Sequence, residues 1–472
     1  MCKSILLLAL FLAHPAFAEK YEIVIENGRV MDPETGLDAK RNVGVANGKI
    51  ARISAEPMVG TRVLNAKGLV VAPGFIDLHQ HGQDAESGRV KAFDGVTTAL
   101  EMEIGVPDVT SFLAERSGRS LINYGTSASH VAARSSVFGI PLPAGSILPF
   151  AGPATDNQAT AHQVRAIEDR LRHEIDAGAL GIGMGIQYTP GATRLEVIRM
   201  FQLASERHVP IFTHVRSFGR LEPGSSIESV SEVIGAAAVS GASLHIVHIN
   251  SSCTQDALEC LSLVAGARAR GLDVTTEAYP YTAGMTYINS ALFNPGWREK
   301  LGIDYDALQL PGTGERLTQE RFEALHISPE PHRVLIFSNT QEMVDSVIPN
   351  PLVMIASDGL IGHPRNAGTY AHVLARYVRE RGSLTLMDAI RKMSLMPAQR
   401  MEKASLAARR KGRLQEGADA DVVVFDPRTI VDRATYQLPM EASVGMRFVV
   451  VNGTLLIDQG TLVPFTFPGR SF

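Results

Sequence analysis

The sequence predicts an α/β protein, a (β/α)8 TIM-like barrel with a small β-domain formed by both chain ends. Eight short apolar strands alternate with helical patterns between about residues 71 and 404, and eight strand–helix units are typical of a closed parallel barrel. Both chain ends alternate apolar residues with Asn-Gly turns, which indicates β-hairpins. The alternative is a doubly wound open sheet, but no GxGxxG or P-loop motif follows the first strand.

The expected β-domain comprises residues 19–70 and 405–472, and the expected barrel comprises residues 71–404. The segment of about 285–350, between strands seven and eight, is too long for an ordinary loop and indicates an inserted subdomain or lid. The eight predicted strands are GFIDLH, GVTTALEME, YGTSASHV, LGIGMG, VPIFTH, SLHIVH, LDVTTE and LVMIAS.

The chain begins with one lysine, an apolar run and small residues at 16 and 18, which is typical of a secretory signal peptide over residues 1–18. We therefore expect export to a periplasm or the medium. No other apolar run reaches about 18 residues, so no membrane anchor is expected. The net charge of −4 and the lack of a basic patch argue against nucleic acid as a partner. The sequence is compatible with a monomer or an oligomer.

Two cysteines, Cys253 and Cys260, follow the predicted signal peptide. They lie in a stretch with a helical pattern, where a spacing of seven residues puts the Cα atoms roughly 10 Å apart. A disulfide needs less than about 7 Å. The sequence therefore predicts no disulfide between them, despite the oxidising compartment.

Two histidines, His79 and His81, stand one residue apart at the end of the first barrel strand. The side chains of residues i and i+2 of a strand point to the same face, so the two imidazole rings can coordinate one metal ion together. A solvated histidine pair at a loop entrance is the simpler alternative. The other strand ends decide between these two interpretations.

Further residues that bind metals or transfer protons end other predicted strands. They are Glu101 and Glu103 on strand two, His214 on strand five, His248 on strand six and Asp358 after strand eight. Barrel active sites lie at these carboxyl ends. Buried carboxylates need cations, and imidazoles with carboxylates suit zinc. The joint pattern therefore predicts a metal site.

Two other histidines carry weaker signals. His245 lies three residues before His248 and so faces the other side of the strand, which favours a structural role. His130 ends strand three, where a substrate contact and packing are equally compatible with the sequence.

Several stretches together resemble the amidohydrolase superfamily and, within it, the N-acyl-D-amino-acid deacylases, also called D-aminoacylases. The resemblance covers nearly all of the mature chain except about residues 290–345. The matching stretches are PGFIDLHQH, AGALGIGMGIQYTPG, PIFTHVRS, EAYPYTAG, MIASDG, HPRNAGTYAHVLARYVRE and GRLQEGADADVVVFDP.

The resemblance implies one or two zinc ions per chain. It implies that His79 and His81 bind one metal ion, that His214 and His248 bind the other, and that Asp358 is the catalytic acid and base. It implies that Arg365 and Tyr281 bind the substrate carboxylate. The planar guanidinium group of an arginine can form two parallel hydrogen bonds with a carboxylate. Tyr188 in GIQYTPG is a further substrate-binding candidate. The family often has a lysine where this chain has Asn250, which puts the family's usual substrates in question.

The ligand that bridges the two metal ions departs from the family pattern. Ile104 stands where the family usually has a bridging cysteine, so we expect a carboxylate instead, with Glu103 favoured over Glu101 because it is nearer the strand end. A carboxylated lysine on strand four is excluded, because no lysine occurs between Lys91 and Lys300.

The sequence therefore predicts a zinc-dependent hydrolase that cleaves the linear amide of small N-acyl-amino acids, above all N-acyl-D-amino acids, or dipeptide-like compounds. Other hydrolases on the same scaffold, namely a dipeptidase, a cyclic amidase or a lactonase, are the alternative. A metal-binding protein without catalysis is a third possibility, but a purely structural metal does not need the proton-transfer group Asp358. No GxSxG motif indicates a nucleophilic serine.

Overall fold

A computed structural model describes residues 20–472, so the predicted signal peptide, residues 1–18, lies outside the described residues. Five strands open the described chain and belong to a nine-stranded sheet. They are β1 (Lys20–Asp32), β2 (Leu37–Ala46), β3 (Lys49–Ser54), β4 (Val59–Asn65) and β5 (Val70–Pro73).

The barrel begins directly after β5. Its first seven strands are β6 (Phe75–Asp77), β7 (Val96–Val106), β8 (Asn123–Ser129), β9 (Ile182–Gly185), β10 (Ile211–His214), β11 (Leu244–Ile246) and β12 (Val274–Ala278). An insertion, residues 283–347, follows β12 and contains a three-stranded sheet of β13 (Ala283–Tyr287), β14 (Leu308–Gln309) and β15 (Arg333–Phe337). The eighth barrel strand is β16 (Val353–Ile355).

The chain then returns to the first sheet through its last four strands, and β17 pairs antiparallel with β5 to join the two chain ends. These strands are β17 (Val422–Phe425), β18 (Met446–Val451), β19 (Thr454–Asp458) and β20 (Thr461–Leu462). The small β-domain built from both ends, the eight parallel strands and the insertion are all as the sequence predicted.

Nine α-helices lie between the barrel strands that precede the insertion. They are α1 (Ala85–Phe93), α2 (Val109–Arg116), α3 (His130–Val137), α4 (Pro153–Asp156), α5 (Ala161–Asp176), α6 (Arg194–Glu206), α7 (Ser226–Ser240), α8 (Ile249–Cys253) and α9 (Ala257–Ala269). The insertion adds α10 (Trp297–Leu301), α11 (Gln319–His326) and α12 (Gln341–Val347), and after β16 come α13 (Arg365–His372), α14 (Leu386–Ile390) and α15 (Met396–Met401).

The longest helix, α5, shows why these segments form helices. Thr160 and Gln163 make a reciprocal capping box at its N-terminus, and Ile167 and Leu171 bury one face against the barrel. No helix within residues 20–472 is long and apolar enough to cross a membrane.

The seam between β6 and β16 closes the barrel next to the predicted site. Buried Asp77 accepts hydrogen bonds from the Ser357 amide at 3.0 Å, the Ser357 hydroxyl at 2.6 Å and the Lys91 ammonium group at 2.7 Å. Gly359 completes the seam, since its carbonyl accepts the His81 amide at 2.9 Å. A Cβ at Gly359 would lie 2.0 Å from Gln80 Oε1, so a larger residue there would displace the buried Gln80 side chain.

The structure contradicts one prediction, because Cys253 and Cys260 form a disulfide with their Cα atoms 6.6 Å apart. The prediction of no disulfide is wrong because it assumed one continuous helix. Helix α8 ends at Cys253, Thr254 adopts a left-handed φ of 44°, and α9 starts afresh at Ala257. This break brings the second cysteine back toward the first.

Candidate metal centre

The Glu103 carboxylate lies between two pairs of imidazole rings. Its Oε2 atom is 3.1 Å from Nε2 of both His79 and His81. Its Oε1 atom is 2.8 Å from His214 Nδ1 and 2.9 Å from His248 Nε2. All five groups stand at carboxyl ends of barrel strands, and each is at most 6 % exposed in its side chain. One carboxylate with a histidine pair at each oxygen is the arrangement of a bridging ligand.

Carboxylates behind the first pair fix which ring nitrogens face the centre. His79 Nδ1 donates to Glu277 Oε1 at 2.6 Å, and His81 Nδ1 donates to Glu101 Oε2 at 2.6 Å. Both Nε2 atoms are then acceptors, yet they lie only 3.2 Å apart and face the Glu103 carboxylate. Lone pairs gathered in this way need a cation between them.

The same orientation holds for the ring of the second pair that ends strand six. His248 Nδ1 donates to the Ser252 hydroxyl at 3.0 Å, which leaves its Nε2 as an acceptor toward Glu103. His248 itself has a left-handed φ of 31°, and such strained backbone is common at functional sites.

The pKa values of His79 and His81 also indicate that this site favours positive charge. Burial disfavours the charged ring of His79, but Glu103, Asp358 and Glu277 outweigh it and raise its pKa well above the usual value. Burial acts likewise on His81, and Glu101 is the largest opposing influence that raises its pKa. A buried site that favours protonated histidines this strongly also favours a bound metal cation.

Two sets of side chains within the described residues can each hold an ion. In each set the ligand atoms lie within 4.8 Å of one another, and Glu103 belongs to both. One set is His79, His81, Glu103 and Asp358, and the other is Glu103, His214 and His248. Imidazole nitrogens with carboxylate oxygens and few ligands per ion are typical of catalytic zinc.

Asp358 stands beside the first set. Its Oδ1 atom is 3.4 Å from Nε2 of His79 and of His81, and it pairs with Arg365 Nη2 at 2.9 Å. Burial alone would raise the pKa of Asp358, but the Arg365 guanidinium and the His79 ring lower it. The residue has a left-handed φ of 50° directly before Gly359, which turns its carboxylate toward the centre.

The structure gives the two glutamates of strand two different surroundings. Glu103 lies between the two imidazole pairs. Glu101 lies behind His81, where its Oε1 also accepts the amides of Ile104 at 3.2 Å and Gly105 at 3.3 Å. The strand register shifts between Glu101 and Val106, and both carboxylates contact the His81 ring, Glu101 at Nδ1 and Glu103 at Nε2.

Sequence reasoning missed Glu277, although it ends the predicted strand LDVTTE and so carried the same signal as the other strand ends. Its second oxygen, Oε2, accepts His245 Nε2 at 3.1 Å, and His245 Nδ1 lies 2.8 Å from the Thr275 hydroxyl. Burial raises the pKa of Glu277, but His79 and His245 more than offset this and lower it to about 2. His245 is therefore a support of Glu277, outside both candidate ligand sets.

A cavity of about 50 Å³ opens over the centre. Tyr188 lines this cavity, with its ring 4.8 Å from that of His214 and its hydroxyl accepting a hydrogen bond from Thr286 Oγ1 at 3.1 Å. The His214, His248 and Asp358 side chains also form part of its wall.

The other substrate-binding candidates stand behind the wall. Arg365 is fully buried next to Asp358, with its guanidinium 4.6 Å from the centre of the Tyr279 ring. The Asn250 amide donates to the Tyr279 carbonyl at 3.0 Å. Tyr281 packs its ring against His363, away from the cavity lining.

His130, left open by the sequence, is fully buried and bonded through Nε2 to Glu196 Oε1 at 2.9 Å. Glu196 also binds Arg134, so the three side chains form a buried ionic cluster outside the cavity wall. This environment corresponds to packing rather than to a substrate contact.

The barrel and this centre define the class of metal-dependent barrel hydrolases. A model of the amidohydrolase family matches residues 158–457, and the chain belongs to that family.

Curated relatives agree with this assignment over nearly the whole chain. An N-acyl-D-glutamate deacylase of Alcaligenes xylosoxydans xylosoxydans is 30 % identical over 488 residues, which cover 96 % of each chain. A D-aminoacylase of the same organism is 28 % identical, covering 92 % of this chain and 94 % of its own.

A solved structure of a related enzyme is similar to this chain in fold over nearly its whole length. The crystal structure of an N-acyl-D-glutamate deacylase from Bordetella bronchiseptica, complexed with zinc and a phosphonate inhibitor that mimics the tetrahedral intermediate of the reaction, has a TM-score of 0.81. It is 26 % identical in sequence, and the match covers 96 % of this chain and 99 % of that one.

Proposed function

We propose that the protein is a zinc-dependent hydrolase that cleaves the amide bond of N-acyl-D-amino acids and releases a carboxylic acid and a free amino acid. The observation that carries this proposal is the Glu103 carboxylate between two histidine pairs, with Asp358 3.4 Å from one pair. The names of the relatives support the D-amino-acid substrate class and a linear amide, and they favour it over the cyclic alternatives.

In this proposal His79 and His81 would hold one zinc ion, His214 and His248 would hold the other, and Glu103, which belongs to both candidate sets, would contribute to each. When bound, zinc would lower the pKa of its water toward about 7, and it would also polarise the substrate carbonyl. The chain supplies the rest. Glu277 and Glu101 hold the two rings of the first pair in the ligating tautomer, because each accepts the Nδ1 proton.

Asp358 moves the protons in both halves of the proposed reaction. Arg365 and the neighbouring rings keep its carboxylate ionised, so it accepts a proton from the attacking water. It then passes this proton to the departing amide nitrogen, which leaves as the amine. Arg365 is proposed to orient the substrate carboxylate. Its Nη2 atom pairs with Asp358, and its buried Nε and Nη1 atoms have no hydrogen-bond partner within residues 20–472.

A panel of paired D- and L-N-acyl amino acids, assayed with protein of known metal content, tests the function. We expect about one to two zinc ions per chain, from the two candidate sets, and hydrolysis of the D-series. A metal-free protein with full activity would overturn the metal proposal. A zinc-loaded protein that cleaves only L-compounds would overturn the substrate assignment.

Replacing the proton carrier tests the mechanism. Asp358→Asn keeps the shape of the side chain but cannot accept the proton, so kcat should fall by about 10²–10⁴ while zinc remains bound. The matched control is Asp169→Asn, an exposed aspartate on α5, which should leave kcat unchanged. Near-normal turnover in the Asp358 variant would exclude it as the proton carrier.

The two glutamates of strand two should differ in their effect on metal content. Glu103→Ala removes the proposed bridge and leaves two cations about 3.5–4 Å apart, whose repulsion should expel one. Glu101→Ala removes only the support of His81, so both ions should still bind, and the ion held by His79 and His81 should bind about 10–100-fold more weakly. Elemental analysis and competition with a chelator measure both effects. Loss of an ion in Glu101→Ala alone would reverse the assignment.

We also propose that the protein is exported, on the basis of the lysine, apolar run and small residues of its first 18 positions. Expression of the full chain in a bacterial host, followed by N-terminal sequencing of the periplasmic and secreted fractions, should find a chain that starts at Glu19. An uncleaved chain confined to the cytoplasm would contradict export.

A further inference from the structure

Helix α8, Ile249–Cys253, begins at a proposed metal ligand and is too short to be stable alone. His248 is its N-cap residue, and within residues 20–472 the His248 side chain makes no capping hydrogen bond. The helix has five residues, whereas isolated helices shorter than about 12 residues are marginal in water. The position of the His248 ring therefore depends on the contacts that hold α8 in place.

A hydrogen bond and a disulfide anchor the far end of α8. The Ser226 hydroxyl, at the start of α7, donates to the Ser252 carbonyl at 3.0 Å. The disulfide links Cys253, the last residue of α8, to Cys260 in α9. Helix α9 has 13 residues, and its buried face belongs to the main hydrophobic core. The disulfide therefore ties a one-turn helix to a much longer and well-packed one.

Ser252 stands between the disulfide and the proposed ligand. His248 Nδ1 donates to the Ser252 hydroxyl at 3.0 Å, and the Ser252 amide donates to the His248 carbonyl at 2.9 Å. Cys253 is the next residue, and Thr254 follows with a left-handed φ of 44°, which is unfavourable for a β-branched side chain. Without the covalent link this backbone can relax, and the Ser252 hydroxyl would then move away from His248 Nδ1.

The two candidate ligand sets are supported in different ways. The carboxylates of Glu277 and Glu101 hold the rings of the first histidine pair. In the second pair, His248 Nδ1 meets only a hydroxyl group, and the buried His214 Nε2 atom has no hydrogen-bond partner within residues 20–472. The second pair therefore depends more strongly than the first on the placement of its backbone.

We propose that Cys253 and Cys260 are positioning residues for the zinc ion of the second histidine pair. Their disulfide fixes α8, and α8 holds the Ser252 hydroxyl against the His248 ring. This inference rests on the proposed zinc centre, and it assigns the disulfide to one of the two ions rather than to the whole centre. It follows that only the disulfide-bonded chain holds the second ion tightly.

The test compares zinc binding by the wild-type protein and by the variant Cys253→Ala/Cys260→Ala, with no substrate present. Alanine suits the two fully buried sites and leaves no covalent link. Competition with a chelator should show one zinc ion bound about 10–100-fold more weakly, with the affinity for the other ion unchanged. Anomalous scattering from crystals at limiting zinc should place the loss beside His214 and His248. Ser262→Ala, at an exposed position of α9, is the matched control and should bind zinc as the wild type does.

A double-mutant cycle separates positioning from a general loss of stability. Ser252→Ala removes the hydrogen bond to His248 but keeps the disulfide. If the disulfide acts through Ser252, adding this change to the cysteine replacements should weaken the second ion little further, because coupled residues are not additive. Equal weakening of both ions, or fully additive effects of the two changes, would overturn the inference.

Folding of the variants decides the remaining outcomes. If the double variant does not fold, Cys260→Ala alone is measured, since it keeps the Cys253 thiol in its buried site. Failure of both to fold would make the disulfide a folding element and overturn the inference, as would two free thiols in the active wild-type protein. A folded variant that keeps both ions at wild-type affinity would overturn the inference and leave the proposed function intact. A wild-type chain that binds no zinc would contradict the proposed function itself.

Discussion

The carboxylate of Glu103 is the contact on which the whole centre depends. It meets one histidine pair through Oε2 and the other through Oε1, at distances of 2.8 to 3.1 Å. An ionised carboxylate with almost no exposure to water is tolerable only where positive charge surrounds it. Four imidazoles from strands one, five and six therefore converge on the Glu103 carboxylate from strand two. The barrel strands hold these rings 2.8 to 3.1 Å from its oxygens.

The surroundings of the centre keep the imidazole pairs in place. Glu277 and Glu101 orient the rings of His79 and His81, and Ser252 orients His248. Behind them, Asp77 ties the first and last barrel strands together where Asp358 turns inward. The disulfide of Cys253 follows directly after Ser252, so a covalent bond closes the turn that supports His248.

Periodicity and strand-end chemistry predicted much of this structure, since burial enforces both. The eight strands and the ligand candidates at their ends followed from apolar runs that stop at His, Glu or Asp. Features that depend on local backbone geometry could not be predicted from these sequence patterns. The left-handed Thr254 breaks a helix that looks continuous in sequence. Only the structure shows that Glu101 meets His81 Nδ1 whereas Glu103 lies between the two histidine pairs. Glu277 carried a readable signal, but its role is visible only once His79 and His245 lie on either side of it.

The position of zinc relative to Glu103 tests the central claim most directly. Crystals of the zinc-loaded protein, measured on both sides of the zinc absorption edge, give the ion positions without reference to activity. If Glu103 binds both ions, anomalous peaks should lie on either side of its carboxylate, each about 2.0–2.2 Å from one of its oxygens. Zinc peaks that all lie beyond coordination distance of Glu103 would contradict it.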